Sequence, residues 1–261
     1  MLKVHLPDGS SKDFAQQVNA KDVAAAIGPG LAKAALAAQV WGDDPKTGDR
    51  YDGKIISLDF PLPEAGDVKL RIITQKDPEA IDVMRHSAAH IMARAVMRLW
   101  PGVQLAFGPT IDGGFYYDFE LEHKLTDEDF PAIEAEMAKI IKLDEPFVRS
   151  VLSREEALAV CDDMKQEFKV EHIGTGLAGE RTLSFYRQGE FVDLCRGPHV
   201  PTPAPIKAYK LLSVAGAYWK GDSNRQQLQR LYATAFFDKK DLDAHLTKIE
   251  EAKKRSPCAT I

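Results

Sequence analysis

His86 and His90 stand four residues apart, and so do Cys195 and His199; these are the side chains whose type and spacing most invite chemistry. On a helix, residues i and i+4 project from one face, so the first pair can share a target. The second pair lies in Cys195-Arg196-Gly197-Pro198-His199, which Pro198 keeps out of a helix, so it returns from a loop. Together they spell His-x3-His plus Cys-x3-His, four borderline donors of the kind that hold zinc. With all four bound the site would be closed and structural, whereas three ligands and a water would be hydrolytic. Spacing alone does not choose, and any one of these histidines by itself reads more readily as a hydrogen-bonded surface or core residue; it is the pairing that points to a site.

The first pair needs a helix, and residues 77–100 supply one. Asp77 suits the N-cap, Pro78 the first helical position and Glu79 the positive end of the dipole, while Pro101-Gly102 stops the run. At about 100° per residue, Ile81, Met84, Ala88, Ile91, Ala95 and Leu99 form one apolar stripe. His86 and His90 fall on the opposite side with Ala93 and Met97, so this helix is expected to bury one face and line a cleft with the other.

Before the helix, residues 2–7, Asp8-Gly9 and residues 10–14 read as a hairpin, because Asp-Gly supplies the positive φ angles of a tight turn. Asn19 with Asp22 three residues on marks a capped helix ended by Gly28-Pro29-Gly30. An alanine-rich piece, 31–40, and short β-like runs at 55–60 and 68–74 follow. Hairpin, helix, then strands within about 75 residues suggests a small α+β domain of the ubiquitin-like β-grasp type. Polar Gln75-Lys76-Asp77-Pro78 marks the boundary, which divides the chain into residues 1–74, 77–238 and a C-terminal helix and tail, 239–261.

In the second part, 103–111 and 115–120 flank Asp112-Gly113-Gly114 as a hairpin, with Phe115, Tyr117 and Phe119 on one strand face. Residues 127–143 form an acidic amphipathic helix. Residues 146–152 are β-like, Ser153 with Glu156 caps a helix from Arg154, and 168–173 and 182–185 read as further strands. Residues 191–194 lead into the Cys195 loop, and residues 239–255 form a last helix.

The whole chain, 261 residues with 44% apolar and 28% charged content, is composed like a folded protein with room for two cores. Three cysteines, at positions 161, 195 and 258, make no disulfide framework and fit a reducing compartment. No leader or membrane span is visible, so the cytoplasm is expected. The net charge of −5 is unevenly spread. Residues 120–145 hold nine acidic side chains against three lysines, whereas 206–230 hold five basic ones against one aspartate, so one face can still meet a polyanion. There Lys207, Tyr209, Lys210, Tyr218, Trp219, Lys220, Arg225 and Arg230 interleave cations with aromatics, as at sites that hold phosphates and splayed bases, about half of them expected to be structural.

The segments RHSAAHIMARAVMRLWPGVQLAFGPTIDGGFYYDFE, FVDLCRGPHV and AGAYWKGDS resemble the editing domain of bacterial threonyl-tRNA synthetase. LPDGS and DVAAAIGPGLAKAALAA resemble the N-terminal TGS domain of the same enzyme, so the resemblance runs from about residue 3 to Arg255 in the same order. A related histidine and cysteine set occurs in alanyl-tRNA synthetase editing domains and their free-standing relatives, where it binds zinc, but the flanking FGPTIDGGFYYD and GAYWKGDS are closer to the threonyl type.

The resemblance implies hydrolysis of serine wrongly attached to tRNA for threonine. Serine lacks one methyl group, worth only about 1–3 kcal/mol of discrimination, so a second sieve is needed. Carried over residue by residue, the implied catalytic set is His86, His90, Lys169, Asp193, Cys195 and His199, with Tyr117, Arg196, Tyr218 and Lys220 toward the substrate. Taken alone, Lys169 reads as a solvated strand lysine, Asp193 as a turn or cap residue and Tyr117 as core. An aminoacyl ester is already activated, so a positioned water, a proton acceptor and a polarised carbonyl suffice, and Cys195 is expected to size the amino acid rather than attack it. The resemblance favours metal-free chemistry, with zinc on His86, His90, Cys195 and His199 as the alternative. The partner implied is a tRNA acceptor end carrying serine, with no membrane involved. A zinc-dependent alanyl-type trans-editing hydrolase and a tRNA-binding module without turnover are the competing functions. The family's enzymes continue into a class II catalytic domain and an anticodon-binding domain, whereas this chain stops six residues after Arg255, so no aminoacylation is expected of it.

Overall fold

The computed structural model describes residues 1–255, so Cys258 and the tail 256–261 lie outside the described residues. The N-terminal elements are β1 (Leu2–His5), β2 (Ser11–Phe14), α1 (Ala20–Ile27), α2 (Pro29–Ala34), β3 (Ala35–Asp43), β4 (Arg50–Ile56) and β5 (Gly66–Thr74). Next come α3 (Ala80–Leu99), β6 (Gln104–Leu105), β7 (Thr110–Ile111), β8 (Gly114–Glu120), α4 (Phe130–Leu143), β9 (Val148–Ser153), α5 (Arg154–Asp163) and α6 (Glu167–Gly174). The last are β10 (Thr182–Gln188), β11 (Phe191–Leu194), β12 (Ala208–Tyr218), β13 (Gln227–Phe236) and α7 (Lys239–Arg255). They gather into two compact units, one of Met1–Val83, Glu145–Val160 and Ile173–Thr202, the other of Met84–Asp144, Cys161–His172 and residues from Pro203 on.

In the first unit the N-terminal strands form one mixed sheet in the order β2-β1-β5-β3-β4, with β1 parallel to β5 and the other pairs antiparallel, the β-grasp arrangement. The hairpin turns where Asp8-Gly9 requires it, Gly9 lying at φ 84°. Asn19 and Asp22 close a reciprocal capping box on α1, which buries Ala20, Val23 and Ala24. The alanine-rich piece divides: α2 ends at Ala34 and β3 begins at once, a central strand whose first four residues are buried. Small side chains suit that crowded position, so sheet pairing overrides alanine's helical preference. This unit also holds a second, antiparallel sheet, β11-β10-β9, and the Cys195 loop that follows β11.

The second unit is built on an antiparallel sheet in the order β12-β13-β8-β6, with β7 hairpinned onto β8 around Gly113 at φ 74°. Phe115, Tyr117 and Phe119 on β8 are all buried, as their alternation requires. The acidic helix starts as a short 3-10 turn at Asp127–Asp129 before α4 proper.

Three expectations need correction. Helix α3 begins at Ala80, because the Asp77 carboxylate turns back to the Thr74 amide and the Arg71 guanidinium and so does not cap. From residue 83 to 96 every side chain of α3 except His86 is buried, so burial extends beyond the one apolar stripe and takes in His90. Residues 168–173 are helical: Gln166, Lys169 and Ile173 are buried at helical spacing, and α6 is the result. No helix among the described residues is long and apolar enough to cross a membrane.

Candidate functional site

In the second unit α3 sets His86 and His90 edge to face, ring centroids 5.4 Å apart at 84°. One helical turn separates their Cα atoms, so two imidazoles present nitrogen atoms to one neighbourhood. Lys169 and Tyr117 meet in the same unit by a different route. The Gln166 side chain accepts from the Leu105 amide at 2.7 Å and donates to the Val103 carbonyl at 3.1 Å, and Gln104 accepts from the Glu167 amide. Those contacts fix the start of α6 to β6. Lys169, one turn along, then directs Nζ to within 3.4 Å of the Tyr117 hydroxyl and over the rings of Phe107 and Tyr117, at 5.6 and 5.8 Å from their centroids. Only 3% of Lys169 is exposed. An ammonium in such surroundings is a ready partner for an ester carbonyl oxygen or for the oxygen of an attacking water. The Tyr117 ring lies against Gly108, where a Cβ would come within 2.1 Å of it, so glycine there lets the phenol reach Lys169.

Two residues beyond Lys169, Glu171 ties α6 to the turn between β12 and β13. Its carboxylate accepts from Arg225, from Lys220 Nζ at 2.8 Å and from Trp219 Nε1 at 3.0 Å. The Arg225 and Lys220 hydrogen bonds hold the Glu171 carboxyl down from the ordinary 4.5 to about 2. Trp219, buried, packs against Phe107 and Phe168. A carboxyl depressed on folding stabilises the fold above its unfolded value and loses that contribution as pH falls toward the folded value. Glu171→Gln is therefore expected to lower stability by about 1–2 kcal/mol at neutral pH, after allowance for solvent screening, and by almost nothing near pH 2. Urea denaturation of both proteins across that range measures the gap.

In the first unit the Cys195 loop carries the other pair. Cys195 Sγ lies 3.4 Å from His199 Nε2 and accepts from the Gly197 amide at 3.2 Å. The backbone of Cys195 is pinned to β10, its amide donating to the Ser184 carbonyl and its carbonyl accepting from Ser184 Oγ. The His199 ring sits between Phe147, stacked at 5.0 Å, and Tyr186, edge-on at 4.4 Å. Asp193 is buried on β11, opposite Tyr186 in the ladder. His86, His90, Cys195 and His199 each offer one atom suited to a metal. The 3.4 Å between sulfur and nitrogen within the loop matches the separation that two tetrahedral zinc ligands at about 2.3 and 2.0 Å require.

The remaining expected substrate residues are scattered differently. Arg196 is exposed and pairs loosely with Glu180 at 3.4 Å, Tyr218 is 44% exposed, and Lys220 is held by Glu171. Much of the basic and aromatic run is engaged: Tyr209 and Lys210 bind Glu134, and Arg230 forms a two-pronged pair with Asp118. Spacing did not reveal Glu171, Ser57, Phe147 or Tyr186. Only Glu171 carried a local signal, being two residues from Lys169.

Comparison with known proteins finds a match in each part of the chain. Residues 2–74 match the TGS domain, and residues 183–232 match the threonyl and alanyl tRNA synthetase second additional domain. The chain is 57% identical over 258 residues to a threonine–tRNA ligase of Rhodopirellula baltica, an alignment covering 97% of this chain and 33% of the relative. It is 49% identical to the threonine–tRNA ligase of Marinobacter nauticus and 48% to threonine–tRNA ligase 1 of Bacillus subtilis, in each case over 98% of this chain and 38% of the relative. It thus spans little more than a third of the length of these relatives. Over nearly its whole length the chain is similar to the part of threonine–tRNA ligases that carries the TGS domain and the second additional domain.

Proposed function

We propose that this chain hydrolyses serine from tRNA of the threonine acceptor type and that His86, His90, Lys169, Asp193, Cys195 and His199 serve that one reaction. The observation that carries the reading is the buried ammonium of Lys169 held beside the Tyr117 hydroxyl, an arrangement suited to gripping ester or water oxygens. Water adds to the ester carbonyl carbon while a neutral imidazole takes its proton. The tetrahedral adduct then expels the ribose oxygen, which recovers a proton, leaving free serine and tRNA. Lys169 stabilises the charge that develops on the carbonyl oxygen, Tyr117 orients Lys169, and Cys195 bounds the space for the amino-acid side chain. Threonine's extra methyl is refused there, which makes the site the fine member of a double sieve. Tyr218, Arg196 and Lys220 face the tRNA end in this reading. The proposed domain division is 1–74, 77–238 and 239–261, and these residues bring about hydrolysis and not aminoacylation. The test is serine release from purified Ser-tRNA. Retained tRNA binding with release no faster than the spontaneous rate leaves only a binding module.

The donor set fits zinc, which His86, His90, Cys195 and His199 would hold and which would supply Lewis acidity to a bound water. We propose the metal-free route, supported by the resemblance of the Tyr117 and Trp219 segments to the threonyl type. Protein purified without chelator is expected to carry well below one zinc per chain by elemental analysis and to keep its deacylation rate in a chelator. Stoichiometric zinc that is lost together with activity moves the chain to the alanyl type.

A further inference from the structure

We propose that Ser57, in the β-grasp domain, is a positioning residue that sets the Cys195–His199 loop for hydrolysis, an inference that rests on the hydrolytic reading above. Ser57 follows β4 and opens a turn closed by the Phe60 amide on the Ser57 carbonyl at 3.1 Å. That turn is braced from α1, where the Lys21 amide donates to the Leu58 carbonyl, and from β9, where the Arg149 amide donates to Asp59 and its guanidinium covers the Phe60 ring at 4.9 Å.

The hydroxyl of Ser57, a residue only 4% exposed, does two things at once. It accepts the backbone N–H of His199 at 3.0 Å, across 142 residues of sequence, and it shares a 2.7 Å hydrogen bond with the Tyr186 hydroxyl. Tyr186 in turn is the edge against which the His199 ring rests, and its hydroxyl fills the space beside Gly197. One oxygen atom of the N-terminal domain therefore fixes both the main chain of His199 and the side chain that aims its ring. Without that oxygen, the buried His199 amide and the buried Tyr186 hydroxyl lose their shared partner, and the loop has to move to satisfy them. Because Cys195 Sγ is held by the Gly197 amide and by contact with His199, the thiol moves with the loop.

The test compares Ser57→Ala with Ser57→Thr, which keeps the hydroxyl, and with Leu70→Ala, which opens the β-grasp core but leaves the Ser57 hydroxyl in place. Two readouts are used on the full chain: kcat and KM for release of serine from Ser-tRNA, and the rate of Cys195 alkylation by N-ethylmaleimide, followed by peptide mass mapping without RNA. Ser57→Ala is expected to lower kcat about tenfold with KM changed less than twofold and to raise Cys195 alkylation severalfold, while Ser57→Thr stays near the parent. If Ser57→Ala does not fold, Tyr186→Phe removes the other half of the hydroxyl pair and is read in the same way. Unchanged alkylation and unchanged kcat in a folded Ser57→Ala protein overturn the proposal. So does an equal loss of kcat in Leu70→Ala. Should the parent chain release no serine, the hydrolytic reading fails by itself, and the alkylation rates alone decide whether Ser57 holds the loop.

Discussion

Replacing Lys169 with methionine is expected to slow serine release by on the order of 10²–10³-fold, the range for loss of one preorganised group at a developing oxyanion. Methionine keeps an unbranched side chain of similar length, so packing against Phe107 and Tyr117 survives while the charge is removed. The effect belongs in kcat. Because methionine fills much the same space, a lower rate in a protein that stays folded reports the lost charge and not lost packing. Steady-state deacylation together with a thermal melt separates the two. A fall in rate below threefold would remove Lys169 from the reaction.

The second large effect is expected at Gly197. Its φ of 72° is one that side chains rarely adopt, and a Cβ there would come within 2.3 Å of the Tyr186 hydroxyl. That hydroxyl is tied to buried Ser57 and cannot swing away freely. Gly197→Ala is therefore expected to cost about 2–4 kcal/mol of stability, from backbone strain and the forced shift together, and to reduce deacylation more than tenfold in whatever fraction stays folded. Denaturant titration and rate measurements on the same preparation test it. Alanine tolerated with parental stability would mean that the loop is not held as described.

The capping boxes at Asn19 and Ser153 are legible because each is closed by side chains three residues apart. The histidine pair and the buried face of β8 were legible for the same reason, since local periodicity determines them. The alternation around Lys169 predicts a strand, whereas the residue stands on a helix. Phe168, Val170 and His172 alternate, but the burial of Gln166, Lys169 and Ile173 follows from how Gln166 docks on β6, a long-range contact with no local signature. The start of α3 failed for a related reason, because Arg71 and Thr74 claim the Asp77 carboxylate that local rules give to the helix. The cationic run of residues 207–230 looked like a phosphate surface, yet Glu134, Asp118 and Glu171, distant in sequence, take up Lys210, Arg230, Lys220 and Arg225. Ser57 had no sequence signal at all. Its hydroxyl matters only because His199 and Tyr186 converge on it.

The central claim is hydrolysis that distinguishes serine from threonine on the same tRNA. Its most direct test is to incubate the purified chain with threonine-acceptor tRNA charged either with serine or with threonine and to follow release of each amino acid. The account predicts serine release on the order of 10²-fold or more above the spontaneous rate, with threonine held near its spontaneous rate. Release of both at one rate, or of neither while the tRNA is bound, would contradict it.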